Sequence, residues 1–387
     1  SDNKKRHKEV LRLLALNGAA YPAFETAEEL ASLREAGGRS WTYNGASAHL
    51  PRDVWEERIR SGEKHVWRLR TPDSGTFTVV DSVRGEVVTD LSTISDPVIW
   101  RSEGDAPLYN FACAIDDLDA GVTHVIRGEE HLPNAVVQSM VRAALGVGQP
   151  VWAHIPVVTR NGKRMSKRDK VNYENGPVGV LSRRDMGWTA EGVLNHLALL
   201  GWSRPDAEAS ETFTLEEFVG EFSLERVRRS PSNFDEKRAR NFQKTWIRTL
   251  PSDVLAARVS SLTGREIPAA GVEIAKEKAP DLLSLGEMLR FLTELPEISD
   301  EGKEILARLG SDNLRAVADL AGNADTISWE QVLEACPGVT PKEAAAGIRM
   351  ALTGKTVSPD LISVLSLLGD DGVMRLRSAA DSVDPGP

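Results

Sequence analysis

A chain of 387 residues with 41% hydrophobic and 27% charged side chains has room for two or three domains and the composition of an ordinary globular protein. No apolar run approaches the ~18 residues of a membrane-spanning helix, so no membrane partner is expected. Two cysteines, Cys113 and Cys336, are too few for a disulfide framework and suit a reducing, cytoplasmic compartment. A formal net charge of −10 argues against indiscriminate nucleic-acid binding, yet residues 151–190 and 225–248 each hold eight basic and three acidic side chains. Such patches could pair with RNA phosphates or could be solvated helix faces.

Lys4 to Leu16 reads as a helix ended by Asn17-Gly18. Thr26-Ala27-Glu28-Glu29 is a capping box that opens another. From His65 to Trp100, β-rich runs such as Thr76 to Val80 and Gly85 to Val88 alternate with turns, and Arg84-Gly85 suits a hairpin. Residues 108–160 read as strand, loop, helix, strand. Tyr109 to Asp116 is a short apolar run, Val122 to Ile126 is β-branched, Pro133 to Leu145 has helical periodicity, and Val151 to Val158 is the next strand. Asp116 and Asp117, adjacent on a strand, would face opposite ways and make a poor metal clamp. The order predicts an α/β fold with a parallel sheet, whose ligands lie beyond the carboxyl ends of the strands. Arg127, Glu130 and the loop Arg164 to Arg168 fall there.

From about residue 187 strands fade. Ala190 to Leu200 is amphipathic, with Gly201 placed to end it. Capping boxes or starts at Thr214, Ser328 and Thr340 open further helices, the last with Pro341 at its first position. The final 140 or so residues are expected to be mostly helical, with Asp381 to Pro387 a frayed tail.

The densest chemical signal is Arg164-Met165-Ser166-Lys167-Arg168. Between Arg160 and Lys170 stand six basic residues and one acid. A cationic loop after a buried strand suits a triphosphate, because its charge can close over a leaving pyrophosphate. The cluster alone also fits a solvated basic turn.

Neighbouring segments supply more. Arg164 to Arg168 resembles the KMSKS signature of class I aminoacyl-tRNA synthetases, in the form that glutamyl-tRNA synthetases use. Residues 121–132 resemble the GVTHVIRGEDHL block of that family. Leu108-Tyr109-Asn110-Phe111-Ala112 is similar to its TYNFA segment. Leu197 to Trp202 and Ala351 to Pro359 resemble two later family segments. The matches lie in chain order and span nearly the whole sequence.

The resemblance implies a site. Lys167 would contact ATP phosphates, Ser166 would order the loop, and Arg164 would supply charge where many relatives have lysine. Met165 and Arg168 complete that ATP-binding loop. Arg127 stands at the position for amino-acid contact, where its planar fork could hold a carboxylate; a strand-end surface salt bridge is the alternative. Tyr109 matches a substrate-contacting tyrosine, or is a core residue. Cys113 falls where some relatives have asparagine and cannot make the same hydrogen bonds. Glu130 matches an ATP-contacting position, or is an exposed helix-start carboxylate. Val158 would touch adenine, or is simply a core strand residue. ATP would bring Mg2+ held mostly by phosphates and water. Where relatives often carry a cysteine cluster, this chain reads Tyr21-Pro22-Ala23-Phe24-Glu25-Thr26, so no structural zinc is expected.

The same resemblance implies a domain plan. Residues 1–20 would end the first half of a Rossmann-like nucleotide fold, 21–107 would be an α+β acceptor-stem-binding insertion, and 108–160 the second half. Residues 161–246 would carry the KMSKS loop and a stem-contact helical region, and 247–387 an all-α anticodon-binding region. The partners implied are glutamate, ATP and tRNA(Glu), with the protein a monomer. The family's opening R-x-A-P-S-P-x-G and HIGH-like segments do not occur, so a fragment of a longer ligase is expected. A natural non-catalytic tRNA-binding paralogue is the alternative.

Overall fold

The computed structural model describes residues 3–38, 41–43, 45–165, 179–323 and 326–383. The chain divides into two compact units. The first comprises Ser1–Thr159, Gly201–Ala207 and Glu221–Asn233, and the second Arg160–Leu200, Glu208–Gly220 and Phe234–Pro387.

The first unit opens with helix α1 (Lys4–Leu16), whose His7, Val10, Leu11 and Leu14 recur at helical spacing and are buried. Strand β1 (Ala20–Ala23) follows, then α2 (Ala27–Gly37) and α3 (Arg52–Arg60). At Thr26 both halves of the expected capping box form: Thr26 Oγ1 accepts from Glu29 N at 3.2 Å, and Glu29 Oε2 accepts from Thr26 N at 2.7 Å. Next come β2 (Val66–Leu69), β3 (Thr76–Asp81), β4 (Gly85–Asp90), β5 (Val98–Arg101) and β6 (Ala106–Pro107). Strands β1, β2, β5 and β6 make an antiparallel sheet in that order.

Residues 109–119 are helix α4 (Tyr109–Asp119), not the strand expected from their apolar run. Phe111, Ala114 and Ile115 fall three and four apart and are all buried, which is helical rather than alternating spacing. Asp116 and Asp117 are therefore helical neighbours. Asp116 Oδ1 accepts from Asn3 Nδ2 at 2.7 Å and lies 2.8 Å from His7 Nε2, fastening α1 to α4. Asp117 turns instead to Cys113, whose Sγ lies 3.6 Å from its Oδ2.

Strand β7 (His124–Gly128), helix α5 (Leu132–Ala144) and strand β8 (Val151–Ile155) complete the unit's α/β layer. The run from Val151 does not continue unbroken to Val158. It stops before Pro156, which has no N–H for a ladder, and resumes as β9 (Val158–Arg160). The sheet order is β4-β3-β8-β7. Strands β7 and β8 run parallel from His124↔Val151 to Gly128↔Ile155, and β3 meets β8 in parallel at Asp81↔Trp152. Strand β4 returns antiparallel through the expected turn, where Gly85 has φ +81°. The expectation of a parallel sheet thus holds for the centre, and the hairpin of residues 76–90 extends that same sheet. Val10, Leu14, Ile99, Phe111, Ile115, Val141 and Trp152 share the unit's core. Val158 and Thr159 pair in parallel with Ser232 and Asn233, the short strand β11.

The second unit is helical. Short strand β10 (Lys163–Arg164) precedes α6 (Val180–Asp185), α7 (Ala190–Gly201), α8 (Leu215–Glu221) and α9 (Glu236–Thr249). Then follow α10 (Ser252–Thr263), α11 (Ala269–Ala275), α12 (Leu282–Met288), α13 (Asp300–Leu309), α14 (Ser311–Asn323), α15 (Trp329–Glu334), α16 (Pro341–Thr353), α17 (Leu361–Leu368) and α18 (Asp370–Val383). Capping boxes form at Thr214, Ser328 and Thr340, as their spacing predicts. Asp381 to Val383 are not frayed as expected, because α18 stays helical through Val383. Its buried Arg375 donates through Nη1 to Phe291 O at 2.8 Å and Leu352 O at 2.9 Å. Leu255, Leu285, Leu306, Leu309, Leu314 and Leu352 form part of the continuous core of this unit. Gly187, at φ +80°, is required by a close approach: its carbonyl accepts from Leu282 N at 2.8 Å, and a Cβ would stand 2.6 Å from Leu283 N.

Candidate active site

The carboxyl ends of β7 and β8 carry the polar cluster of the first unit. Arg127, on β7, is the direct partner of His154 on β8. Its guanidinium is held from two sides. Nε donates to His154 Nε2 at 3.1 Å, while Nη2 donates to Gln138 Oε1 at 3.1 Å and to His131 O at 3.3 Å. The indole of Trp152 lies beneath, 5.2 Å from the guanidinium carbon. The Nη1 hydrogens have no protein partner among the described residues, so one edge of the fork is left to meet an anion.

Behind Arg127 the supports are buried. Gln138, on α5, donates through Nε2 to Asn110 Oδ1 on α4 at 3.2 Å. His154 is fully buried, with Nδ1 only 2.6 Å from Asp81 Oδ2. Burial pushes the Asp81 carboxyl up, but hydrogen bonds from His154, Arg84 and Val83 outweigh it and leave its pKa lowered. Burial also lowers the His154 pKa, and the nearby Arg127 charge adds to that against the pull of Asp81. The imidazole is thus neutral beside an ionised carboxylate.

Of the residues singled out from sequence, Tyr109 and Cys113 lie one turn apart on α4, and Cys113 also feels the Arg127 charge. Burial raises the Cys113 pKa, and Asp117 raises it further, so the thiol stays protonated. Tyr109, at the first turn of α4, is 59% exposed, which removes the core-residue alternative. Arg127 is no surface salt bridge either, since its partners are neutral. Glu130 lies in the short turn after β7, its carboxylate folded over Gly128, where a Cβ would stand 2.3 Å from Oε2. The adjacent Glu129 is the structural carboxylate: it pairs with Arg84 and accepts from Val157 N at 3.1 Å. Val158 is half-buried on β9.

The basic loop is only partly in view. Arg164 closes β10 and Met165 follows it, both in the second unit, whereas Ser166, Lys167 and Arg168 lie outside the described residues. Within the second unit, several cations of the two basic stretches are already engaged. Glu236 meets Arg183 at 2.9 Å and Arg160 and Arg240 at 3.6 Å each. Arg183 is buried against Trp188 and Phe234. Among the described residues no three histidine, cysteine or carboxylate side chains converge as a metal site. A cavity of about 550 Å3 lined by Trp55, Trp67, Trp100, Lys8, Arg12 and Arg52 shares no lining residue with the Arg127 cluster.

A family profile described as tRNA synthetases class I (E and Q), catalytic domain, matches residues 1–241. The chain belongs to that family. A second profile, the anticodon binding domain, matches residues 234–380 of the synthetase. A relative named glutamate–tRNA ligase 2, from Rhodospirillum rubrum, is 36% identical over 399 positions, covering 97% of this chain and 82% of the relative. A glutamate–tRNA ligase from Burkholderia thailandensis is 34% identical with the same coverage. The crystal structure of a glutamate tRNA ligase from Elizabethkingia meningosepticum in complex with its amino acid superposes with a TM-score of 0.77 at 23% identity. That match covers 99% of this chain and 83% of the other, and shows a shared fold. No described helix of the synthetase is long and apolar enough to cross a membrane.

His154, Asp81 and Gln138 were not picked out from the sequence. Position 154 did carry a signal: a histidine within an apolar strand run must find a buried partner.

Proposed function

We propose that the protein works as a glutamate–tRNA ligase. The glutamate α-carboxylate attacks the ATP α-phosphorus and pyrophosphate leaves. The terminal ribose hydroxyl of tRNA(Glu) then attacks the adenylate carbonyl and AMP leaves. The observation that carries the reading is Arg127: a guanidinium fixed at a strand's carboxyl end by neutral partners, with one edge left for an anion. That is what the side-chain carboxylate of glutamate requires.

Tyr109 serves as a contact for the amino acid, and Cys113 supplies packing rather than an amide hydrogen bond. Glu130 accepts from the ATP ribose and Val158 lies against adenine. Lys167 and Arg164 stabilise the departing pyrophosphate, with Ser166, Met165 and Arg168 shaping the loop. Magnesium would travel with ATP, bound by phosphate oxygens and water. The domain plan runs as residues 21–107 for the acceptor stem, 161–246 for the loop and stem contacts, and 247–387 for the anticodon. The proposed setting is a monomer in the cytoplasm. ATP–pyrophosphate exchange by the full-length protein, with tRNA present, tests the first step. Exchange that requires glutamate supports the reading, and exchange driven by glutamine but not glutamate contradicts it.

A further inference from the structure

We infer that Asp81 controls the orientation of Arg127 by fixing which nitrogen of His154 carries the proton. The inference rests on the reading of Arg127 as the glutamate contact, and it adds two positioning residues to that site.

The three groups form one line across the sheet. Asp81 ends β3, His154 lies on β8, and Arg127 lies beside it on β7. An ionised carboxylate only accepts, so the 2.6 Å contact to Asp81 Oδ2 requires the proton on His154 Nδ1. In a neutral ring Nε2 must then accept. Arginine only donates, and Arg127 Nε stands 3.1 Å from that atom. The other tautomer would set an N–H against an N–H. This contact also decides the guanidinium plane. The bonds to Gln138 and His131 hold Nη2 alone, about which the group could otherwise pivot.

Asp81 can be altered with most of its bonds kept. Its Oδ1 accepts from Val83 N at 2.9 Å, Arg84 N at 2.8 Å and His154 N at 3.2 Å, and asparagine keeps that oxygen. The atom facing the ring, Oδ2, changes from an acceptor to a donor and gives up its 3.1 Å bond from His154 N, which retains Oδ1. Asp81→Asn therefore reverses the demand on the ring and drives the proton to Nε2.

The test uses the full-length protein labelled with 15N-histidine and 15N-arginine, together with the KM values for glutamate and ATP in pyrophosphate exchange. In Asp81→Asn the His154 resonances should exchange their protonated and unprotonated character, and the Arg127 Nε–H signal should move. The KM for glutamate should rise roughly tenfold to a hundredfold, the worth of one hydrogen bond to a charged group, while the KM for ATP stays within about twofold. An unchanged tautomer or an unmoved Arg127 signal overturns the inference. So does a moved signal with unchanged glutamate KM when Arg127→Gln does raise that KM. If Arg127→Gln leaves glutamate KM unchanged while the Asp81→Asn signals move, the relay stands and the glutamate reading of Arg127 fails. Should Asp81→Asn not fold, His154→Gln, which keeps a donor and an acceptor on one planar group, should retain glutamate KM far better than His154→Leu. Equal losses in the two would overturn the inference.

Discussion

Arg127 and His154 face each other across β7 and β8, and the 3.1 Å bond between Nε and Nε2 makes a buried, neutral imidazole the support of an arginine. A surface ion pair would leave the guanidinium neutralised. Neutral supports instead leave its charge available to a ligand, at the strand ends where open α/β sheets place their sites.

Replacing that charge should be felt by one substrate. Arg127→Gln is expected to raise the KM for glutamate by far more than that for ATP. The loss of a desolvated charged partner is worth roughly 2–5 kcal/mol. Steady-state kinetics with each substrate varied checks this. Equal changes in both constants would make Arg127 structural.

Lys167→Ala should act on rate. Its cation would serve where charge develops on the departing pyrophosphate, so kcat for adenylate formation is expected to fall by on the order of 10²–10³ with little change in glutamate affinity. Single-turnover adenylate formation reads this directly, and a wild-type rate would reduce the basic loop to a solvated turn.

His196 makes stability depend on pH. It is buried, its ring edge against Phe234 with centroids 4.6 Å apart, and neither ring nitrogen has a protein partner among the described residues. Burial lowers its pKa from 6.5 to about 4; Arg238 and Arg183 add to the shift, while Asp235 and Glu236 oppose it. The unfolded chain therefore binds the proton first. The stability contribution is complete above the unfolded value near 6.5 and is lost as pH falls toward 4. At pH 5 the loss is about 2 kcal/mol relative to pH 7. Urea unfolding at the two pH values should show a correspondingly smaller loss in His196→Gln. Identical losses in both proteins would contradict this.

Gly187→Ala is expected to destabilise the helical unit by about 1–3 kcal/mol. The position has φ +80°, and the added Cβ would stand 2.6 Å from Leu283 N, where only backbone could give way. Denaturant unfolding should show a lower midpoint with the same slope. An unchanged midpoint would mean that the approach to α12 is soft.

What could be read in the sequence was local. Thr26, Thr214, Ser328 and Thr340 each cap a helix through partners three residues away, so spacing alone revealed them. Arg127 could be singled out as a candidate because its block is contiguous. The stretch from Tyr109 was misread because a short apolar run fits a strand or a buried helix until its neighbours are known. Asp81 and His154 stand 73 residues apart, and nothing in either segment names the other. Their pairing follows from β3 lying beside β8, a relation fixed by tertiary packing rather than by local pattern.

The proposed reaction of this synthetase is the coupling of glutamate to tRNA. The most direct measurement is the charging of tRNA by the full-length protein with each labelled amino acid in turn and ATP present. Attachment of glutamate alone, abolished by omitting ATP and strongly reduced in Arg127→Gln, is the predicted result. Attachment of glutamine in preference to glutamate, or tRNA binding with no charging of any amino acid, would contradict it.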